Sequence, residues 1–260
     1  MTEVCPATLM AFAGRLADAS GVILRRYFRS GVAVIDKADL SPVTVADREA
    51  EQEIRRLIAA EHPGHGVIGE EYGADRPEAE HVWVLDPIDG TRSFITGRPL
   101  FGTLIALCRA GRPILGVIDH PALGERWIGA AGHPTRHDGV VVRTRRCPSI
   151  DGAALFASSP HMFEDGHGEA GFDRVRRRAK LVQYGSDCYH YGLVASGHGD
   201  IAIEARLGIY DYLATVPVIE GAGGRVTDWQ GDRPTLASGD RVVATGDPAL
   251  HEQTLTLLAD

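Results

Sequence analysis

Two aspartates close a short apolar run in the stretch WVLDPIDGTRSF, residues 83–94. Pro87 and Ile88 separate Asp86 from Asp89, and Gly90 and Thr91 follow. Asp, Pro and Gly all favour turns, so a plain surface turn is one reading. A cation site that handles phosphate is the other. Asp86 abuts Val82–Leu85, and a carboxylate beside a buried strand costs on the order of several kcal/mol unless it is paired or metal-bound. No lysine or arginine is spaced to neutralise both aspartates. Magnesium prefers a few carboxylates completed by water and substrate phosphate. Pro87 fixes one φ, which holds the two carboxylates at a repeatable separation and lets the Ile88 carbonyl point the same way. Gly90 permits a tight turn. Thr91 then starts a short helix, whose first N–H groups are free to meet a phosphate.

Further acids stand at element ends. Asp47 lies in SPVTVADREAE, Glu70 and Glu71 follow GVIG, and Asp211 follows LGIY. Each alone has an ordinary explanation. Thr44 with Asp47 fits a capping box, and a carboxylate there also suits the helix dipole. Glu70 and Glu71 fit a solvated strand end, and Asp211 fits a helix N-cap. Taken together with Asp86 and Asp89, these separate explanations weaken.

The elements that must position these residues read as follows. Pro6–Arg29 has Leu9, Phe12, Leu16, Ile23 and Tyr27 near helical spacing, and a second helix runs over Val45–Ala60 until Pro63 and Gly64. Strands are expected at Gly66–Gly69, Val82–Asp86, Thr103–Arg109, Ile114–Asp119, Arg126–Ala130 and Val140–Arg143, giving helices on an antiparallel sheet. From Ala153 the rhythm changes to alternating strands and helices. ALFAS precedes a Gly-rich loop, Pro160–Gly171, and a basic helix FDRVRRRAK. LVQYG, DIAIEA, GRVTDW and RVVATG read as strands. DCYHYGLVASG, YDYLATVPVIEGAG and a segment from Pro248 read as helices. The class is α+β in the first half and α/β in the second. The boundary near Arg145–Ile150 divides the chain into residues 1–147, with most of the acids, and 148–260, with Asp211.

The chain has 260 residues, enough for one large domain or two closely packed subdomains. The formal net charge of −8 leaves no basic footprint for nucleic acid or an anionic membrane. An acidic protein still binds an anion where a cation reverses the local field. Cys5, Cys108, Cys147 and Cys188 form neither a CxxC pair nor a disulfide framework, so reduced thiols and a cytoplasmic location are expected. The N-terminus lacks a basic start ahead of an uninterrupted apolar stretch, and no uncharged apolar run is long enough to span a bilayer.

GEE at 69–71, WVLDPIDGT at 83–91 and YDYLATVPVIEGAGG at 210–224 resemble, in order, the inositol monophosphatase superfamily of magnesium-dependent, lithium-sensitive phosphatases. The resemblance covers about Ala46 to Gly224 and implies a layered α-β-α-β-α sandwich. It implies that Glu70, Asp86 and the Ile88 carbonyl hold one magnesium and that Asp86, Asp89 and Asp211 hold a second. A weaker third ion would lie near Glu70. Asp47 and Thr91 would orient and deprotonate the attacking water, and the Gly90 and Thr91 N–H groups would meet the phosphate. The chemistry fits the parts: metals neutralise a phosphate dianion, activate water and stabilise the leaving alkoxide, with no Cys or Ser nucleophile required. By the same analogy the partner is a second copy, in a homodimer.

Inositol-phosphate members commonly carry GTxNF and GSAAL. Here the segments are GTRSF, with Arg92 and Ser93, and GSDCYHYGL, with Ser186 and Asp187. These look like the histidinol-phosphate phosphatase branch. Histidinol phosphate carries an ammonium and an imidazole, so its site should offer carboxylates away from the metals, and Asp187 and Glu204 are the candidates. Asp187 fits a helix N-cap equally well, and Glu204 has a solvated strand end as its ordinary explanation. Arg92 reads as an edge residue or as a contact to phosphate or to another subunit's site. His190 and His198 read as packing or surface residues, since magnesium rarely takes imidazole. Lys37 reads as a surface residue or a distant phosphate contact. The alternatives are a broader inositol- or sugar-phosphate phosphatase and a catalytically silent binding protein on the same fold. Every expected acid is present, which argues against the silent protein.

Overall fold

Along residues 81–89 the side chains of Val82 and Val84 enter one apolar cluster, and those of Trp83 and Leu85 enter another. Alternate residues of a strand face opposite sides, so this strand is buried on both faces and reads as one apolar run. The computed structural model describes residues 4–31, 34–36 and 42–259. Lys37 lies outside the described residues.

The first elements are α1 (Ala7–Tyr27), β1 (Val34–Asp36), β2 (Pro42–Thr44) and α2 (Val45–Glu61). They lead into β3 (Gly66–Gly69), β4 (Gly73–Asp75), β5 (His81–Asp89) and α3 (Thr91–Ile95). A meander follows: β6 (Gly102–Arg109), β7 (Arg112–His120), β8 (Glu125–Ala130), β9 (His133–His137) and β10 (Val140–Val141). The chain continues with β11 (Ala154–Ala157), α4 (Glu169–Arg176), β12 (Leu181–Tyr184), α5 (Tyr189–Ala195) and β13 (Ile201–Glu204). It closes with α6 (Ile209–Tyr212), α7 (Thr215–Ala222), β14 (Arg225–Thr227), β15 (Val242–Thr245) and α8 (Pro248–Leu258).

One sheet has the order β10-β9-β8-β7-β6-β5-β3-β4 and another the order β12-β11-β13-β15-β14. Phe12, Leu16, Ile54 and Ile58 of α1 and α2 cover one face of the first sheet. Tyr191 and Val194 of α5 and Val216 and Ile219 of α7 lie between its other face and the second sheet. Phe172 and Val175 of α4 and Leu250 and Leu258 of α8 cover the far face of the second sheet. The result is the expected α-β-α-β-α sandwich.

Several expectations need correction. The first sheet is mixed, because β3 pairs parallel with β5. The short antiparallel β4 returns the chain to its starting end, so β5 runs in the direction of β3. Strand β9 pairs with β8 and holds the polar run HPTRH, which carries no apolar alternation to signal it. β10 stops at Val141, short of Arg143. The loop expected over Pro160–Gly171 contains a 3-10 turn, Pro160–Phe163, and the start of α4. That helix ends at Arg176, and Lys180 falls outside it. The segment from Tyr210 splits into α6 and α7 around Leu213 and Ala214. All four cysteines are buried and free. α1 is long and apolar enough by composition to cross a membrane, with a mean hydropathy of 1.3. Its Phe12, Ala13, Leu16 and Leu24 are buried in the fold.

Candidate active site

Asp86 and Asp89 lie an odd number of residues apart, so a regular strand would aim them at opposite faces. The pairing of β5 with β6 slips between them: Asp86 pairs with Leu104, but Asp89 pairs with Gly102. The extra residue is a bulge, and it turns both carboxylates to one side. Pro87 has no N–H to lose from the ladder. Its carbonyl accepts from the buried Thr103 hydroxyl at 2.8 Å, and Thr103 in turn meets Ser20 Oγ at 3.0 Å. The Ile88 N–H donates to Asp86 Oδ1 at 3.0 Å, while its side chain is buried with Ala46, Ala50, Phe94 and Phe101. Gly90 (φ 80) makes the left-handed turn into α3.

Asp211 joins this pair from α6. Its Oδ2 accepts from the Gly208 N–H at 2.7 Å. Carboxylate oxygens of Asp86, Asp89 and Asp211 all lie within 4.8 Å of one another, a group able to hold a metal ion. Asp89 is oriented from the second half of the chain, because the Cys188 N–H donates to its Oδ2 at 2.6 Å.

Asp47 and Glu70 lie near enough to raise Asp86. Asp47 completes the expected capping box: Thr44 N and Oγ1 donate to Oδ2 at 2.8 and 2.7 Å. Its Oδ1 is buried with no hydrogen-bond partner among the described residues. Glu70 follows β3, and its N–H donates to Leu85 O at 3.2 Å. One helical turn beyond Asp47, the fully buried Glu51 fixes that loop. It accepts from the N–H groups of Glu71 at 2.8 Å and Tyr72 at 3.2 Å. A Cβ at Gly69 would fall 2.0 Å from Glu51 Oε1, so only glycine lets the loop approach the helix this closely.

The charges oppose one another. Among the described residues, no lysine or arginine forms an ion pair with Asp47, Asp86, Asp89 or Asp211. Burial, then Glu70, Asp89 and Asp211, push the Asp86 carboxyl well above the usual range. Burial, then Asp187 and Asp211, do the same to Asp89 against the opposing Cys188 bond. Burial raises Asp211 to about 7 and Asp47 to about 6, although hydrogen bonds from Gly208 and Thr44 oppose it. Such a cluster holds full charge only when a cation or protons compensate it. An all-oxygen donor set with an orphaned buried oxygen nearby fits a hard divalent cation.

The remaining candidates come from the second half of the chain and stand beside Asp89. Asp187 (φ 44) accepts from the Ser93 hydroxyl at 2.6 Å through Oδ2. The cap alternative fails for it, since α5 has no side-chain cap. Glu204 is 3% exposed, so it is no solvated strand end. Ser158 donates to Oε1 through both N–H and hydroxyl, and Tyr191 OH donates to Oε2 at 2.8 Å. His190 Nε2 lies 3.6 Å from Oε2. Burial works against the Glu204 charge, but His190, Ser158 and Tyr191 outweigh it and hold the carboxyl below its usual range. Ser186 is half-buried in the same loop.

Other expectations fare differently. Thr91 Oγ1 donates to Ile88 O at 3.1 Å, and no hydrogen bond joins it to Asp47. The short turn after Gly90 brings the hydroxyl back over the Ile88 carbonyl. Arg92 is exposed. Arg98 instead reaches the loop of Ser186 and Asp187, donating to Gly185 O at 2.7 Å. His190 is buried and His198 exposed. Sequence reasoning missed Glu51, Ser158 and Tyr191, and it singled out Ser93 in GTRSF without its bond to Asp187. Only Glu51 carried a signal, an acid one helical turn from Asp47 beside the apolar Ala50 and Ile54.

Fold and site define a phosphatase whose carboxylate centre is built to hold a cation. The chain belongs to the inositol monophosphatase family, whose model matches residues 6–260. It is 49% identical over 257 residues to the bifunctional phosphatase IMPL2, chloroplastic, of Arabidopsis thaliana, covering 95% of this chain and 74% of that protein. It is 36% identical over 233 residues to a histidinol-phosphatase of Chlorobaculum parvum, covering 89% and 90%. The solved structure of an inositol monophosphatase from Zymomonas mobilis superposes with a TM-score of 0.89 at 45% identity, covering 98% and 99%.

Proposed function

We propose that this phosphatase is a magnesium-dependent histidinol-phosphate phosphatase, releasing histidinol and phosphate in histidine biosynthesis. The carrying observation is that two further carboxylates, Asp187 and Glu204, lie outside the Asp86, Asp89 and Asp211 group yet near enough to raise Asp89. A substrate bearing a phosphate at one end and an ammonium and imidazole at the other matches that division of charge. The relation to the Chlorobaculum parvum histidinol-phosphatase supports the reading.

Glu70, Asp86, Asp89, Asp211 and the Ile88 carbonyl would hold the magnesium. Bound there, magnesium supplies charge neutralisation and a water of lowered pKa. Asp47 takes the proton of the attacking water at its orphaned Oδ1, while Oδ2 stays fixed by Thr44. The Thr91 hydroxyl helps to orient that water. The N–H groups of Gly90 and Thr91 bind the phosphate oxygens at the start of α3. Asp187 and the flanking Ser186 receive the cationic end, and the buried Glu204 adds its charge beside Asp187.

Inositol-phosphate hydrolysis is the second reading, favoured by the 45% identity to the Zymomonas mobilis protein. Steady-state assays with histidinol phosphate, inositol 1-phosphate, fructose 1,6-bisphosphate and 3′-phosphoadenosine 5′-phosphate separate the two. The highest kcat/KM is expected for histidinol phosphate, and a clear preference for any other ester overturns the proposal.

A further inference from the structure

Ser93 lies on α3, immediately after the phosphate-facing turn, and is 4% exposed. Its hydroxyl donates to Asp187 Oδ2 at 2.6 Å across 94 residues of sequence. Two further features converge on the same carboxylate. Asp187 sits in the left-handed region (φ 44), which aspartate adopts only at some cost. A Cβ at Gly90 would fall 2.6 Å from the same Oδ2. The carboxylate is therefore pressed onto the backbone of the phosphate turn. Oδ2 is engaged by Ser93, and Oδ1 has no hydrogen bond among the described residues.

We propose that Ser93 is a positioning residue that fixes Asp187 against Gly90 and so sets the site's selection for a phosphate ester carrying a cationic group. The inference rests on the histidinol-phosphate reading above. Serine is short enough to leave room for a carboxylate here. A longer amide at this buried position would occupy the space that Asp187 fills. With Oδ2 bonded, Asp187 presents one fixed oxygen, Oδ1, to a cation. Without the bond, Asp187 is free to leave its strained conformation and withdraw from the site.

The test uses the full chain with magnesium and four variants: Ser93→Ala, Ser93→Asn, Asp187→Asn, and Ser93→Ala combined with Asp187→Asn. The substrates are histidinol phosphate and inositol 1-phosphate, and thermal melts verify folding. Ser93→Ala should raise KM for histidinol phosphate about tenfold, with kcat within about twofold, and leave inositol 1-phosphate nearly unchanged. Ser93→Asn should do at least as much. In the Asp187→Asn background, Ser93→Ala should add nothing, because the two residues act as one unit. Equal losses on both substrates, no loss on either, or full additivity with Asp187→Asn overturns the proposal. Wild-type preference for inositol 1-phosphate would instead defeat the substrate reading, and this inference with it. A neutral Ser93→Ala in an enzyme that does prefer histidinol phosphate defeats the inference alone.

Discussion

Asp89 Oδ2 accepts a 2.6 Å hydrogen bond from the Cys188 N–H, which joins the end of β5 to the loop entering α5. One bond thus sets a carboxylate of the cation cluster from the loop that carries Asp187. The aspartate group and the loop carrying Asp187 are thereby tied together.

Asp89→Asn should abolish most turnover while keeping the fold. The amide retains the shape but removes a charged oxygen from the group formed with Asp86 and Asp211. We expect kcat/KM to fall at least about 100-fold. Without divalent cation, the variant should melt no lower than wild type, because burial and like charges already work against Asp89. Retained activity with an intact far-ultraviolet spectrum would contradict a required role for the Asp89 carboxylate in the group it forms with Asp86 and Asp211.

The benefit of magnesium to stability should grow with pH. Asp211 and Asp47 have folded-state pKa values of about 7 and about 6, raised above the value of 3.8 for an unperturbed aspartate. Between those limits the folded chain binds more protons than the unfolded one, so without cation each group loses stability as pH rises. Bound cation competes with those protons and removes the penalty. Buried His120 and His251, both lowered to about 4, act in the opposite direction between pH 6.5 and 4. They contribute alike with and without cation, so they cancel in the difference. The melting-temperature gain from magnesium, followed by scanning fluorimetry, should rise from pH 5 to pH 8. A flat or falling gain contradicts the account.

Glu51→Gln should weaken magnesium without touching it. Glu51 holds the Glu71 and Tyr72 N–H groups and receives Arg55 Nε at 2.8 Å, so an amide nitrogen in its place faces donors. We expect a stability loss of about 1–3 kcal/mol and a loss of roughly tenfold in the magnesium concentration dependence of activity. Activity at saturating magnesium should recover substantially. Denaturant melts and magnesium titrations of activity check both parts.

Gly90→Ala should impair both ends of the site. Its φ of 80 costs an L-residue about 1–2 kcal/mol, and the new methyl meets Asp187 Oδ2. Loss of kcat/KM should exceed that expected from the stability change alone. Normal kinetics at a temperature where the variant is folded would contradict the tight contact.

Much of this site was legible because its acids lie in short, chemically unusual stretches. Asp86 and Asp89 after an apolar run announce themselves locally, whereas Asp47 after Thr44 reads equally as the helix cap it also forms. Individual strands were legible where they are buried on both faces, as at Val82–Leu85, but not in the polar β9 or the three-residue β4, and the layering came only from the family resemblance. What stayed hidden is set by contacts distant in sequence. Ser158 and Tyr191 reach Glu204 over 46 and 13 residues, and Ser93 reaches Asp187 over 94. No local pattern records such pairs. The bulge that swings Asp89 to the side of Asp86 depends on pairing with β6, which the run WVLDPIDGT does not contain.

The most direct test of the account is phosphate release from histidinol phosphate by protein stripped with a chelator and then titrated with magnesium. The account expects no turnover in the stripped protein and full recovery on titration, with no such recovery in Asp211→Asn. Undiminished turnover in stripped protein, or an Asp211→Asn variant that titrates like wild type, would contradict a catalytic cation held by Asp86, Asp89 and Asp211.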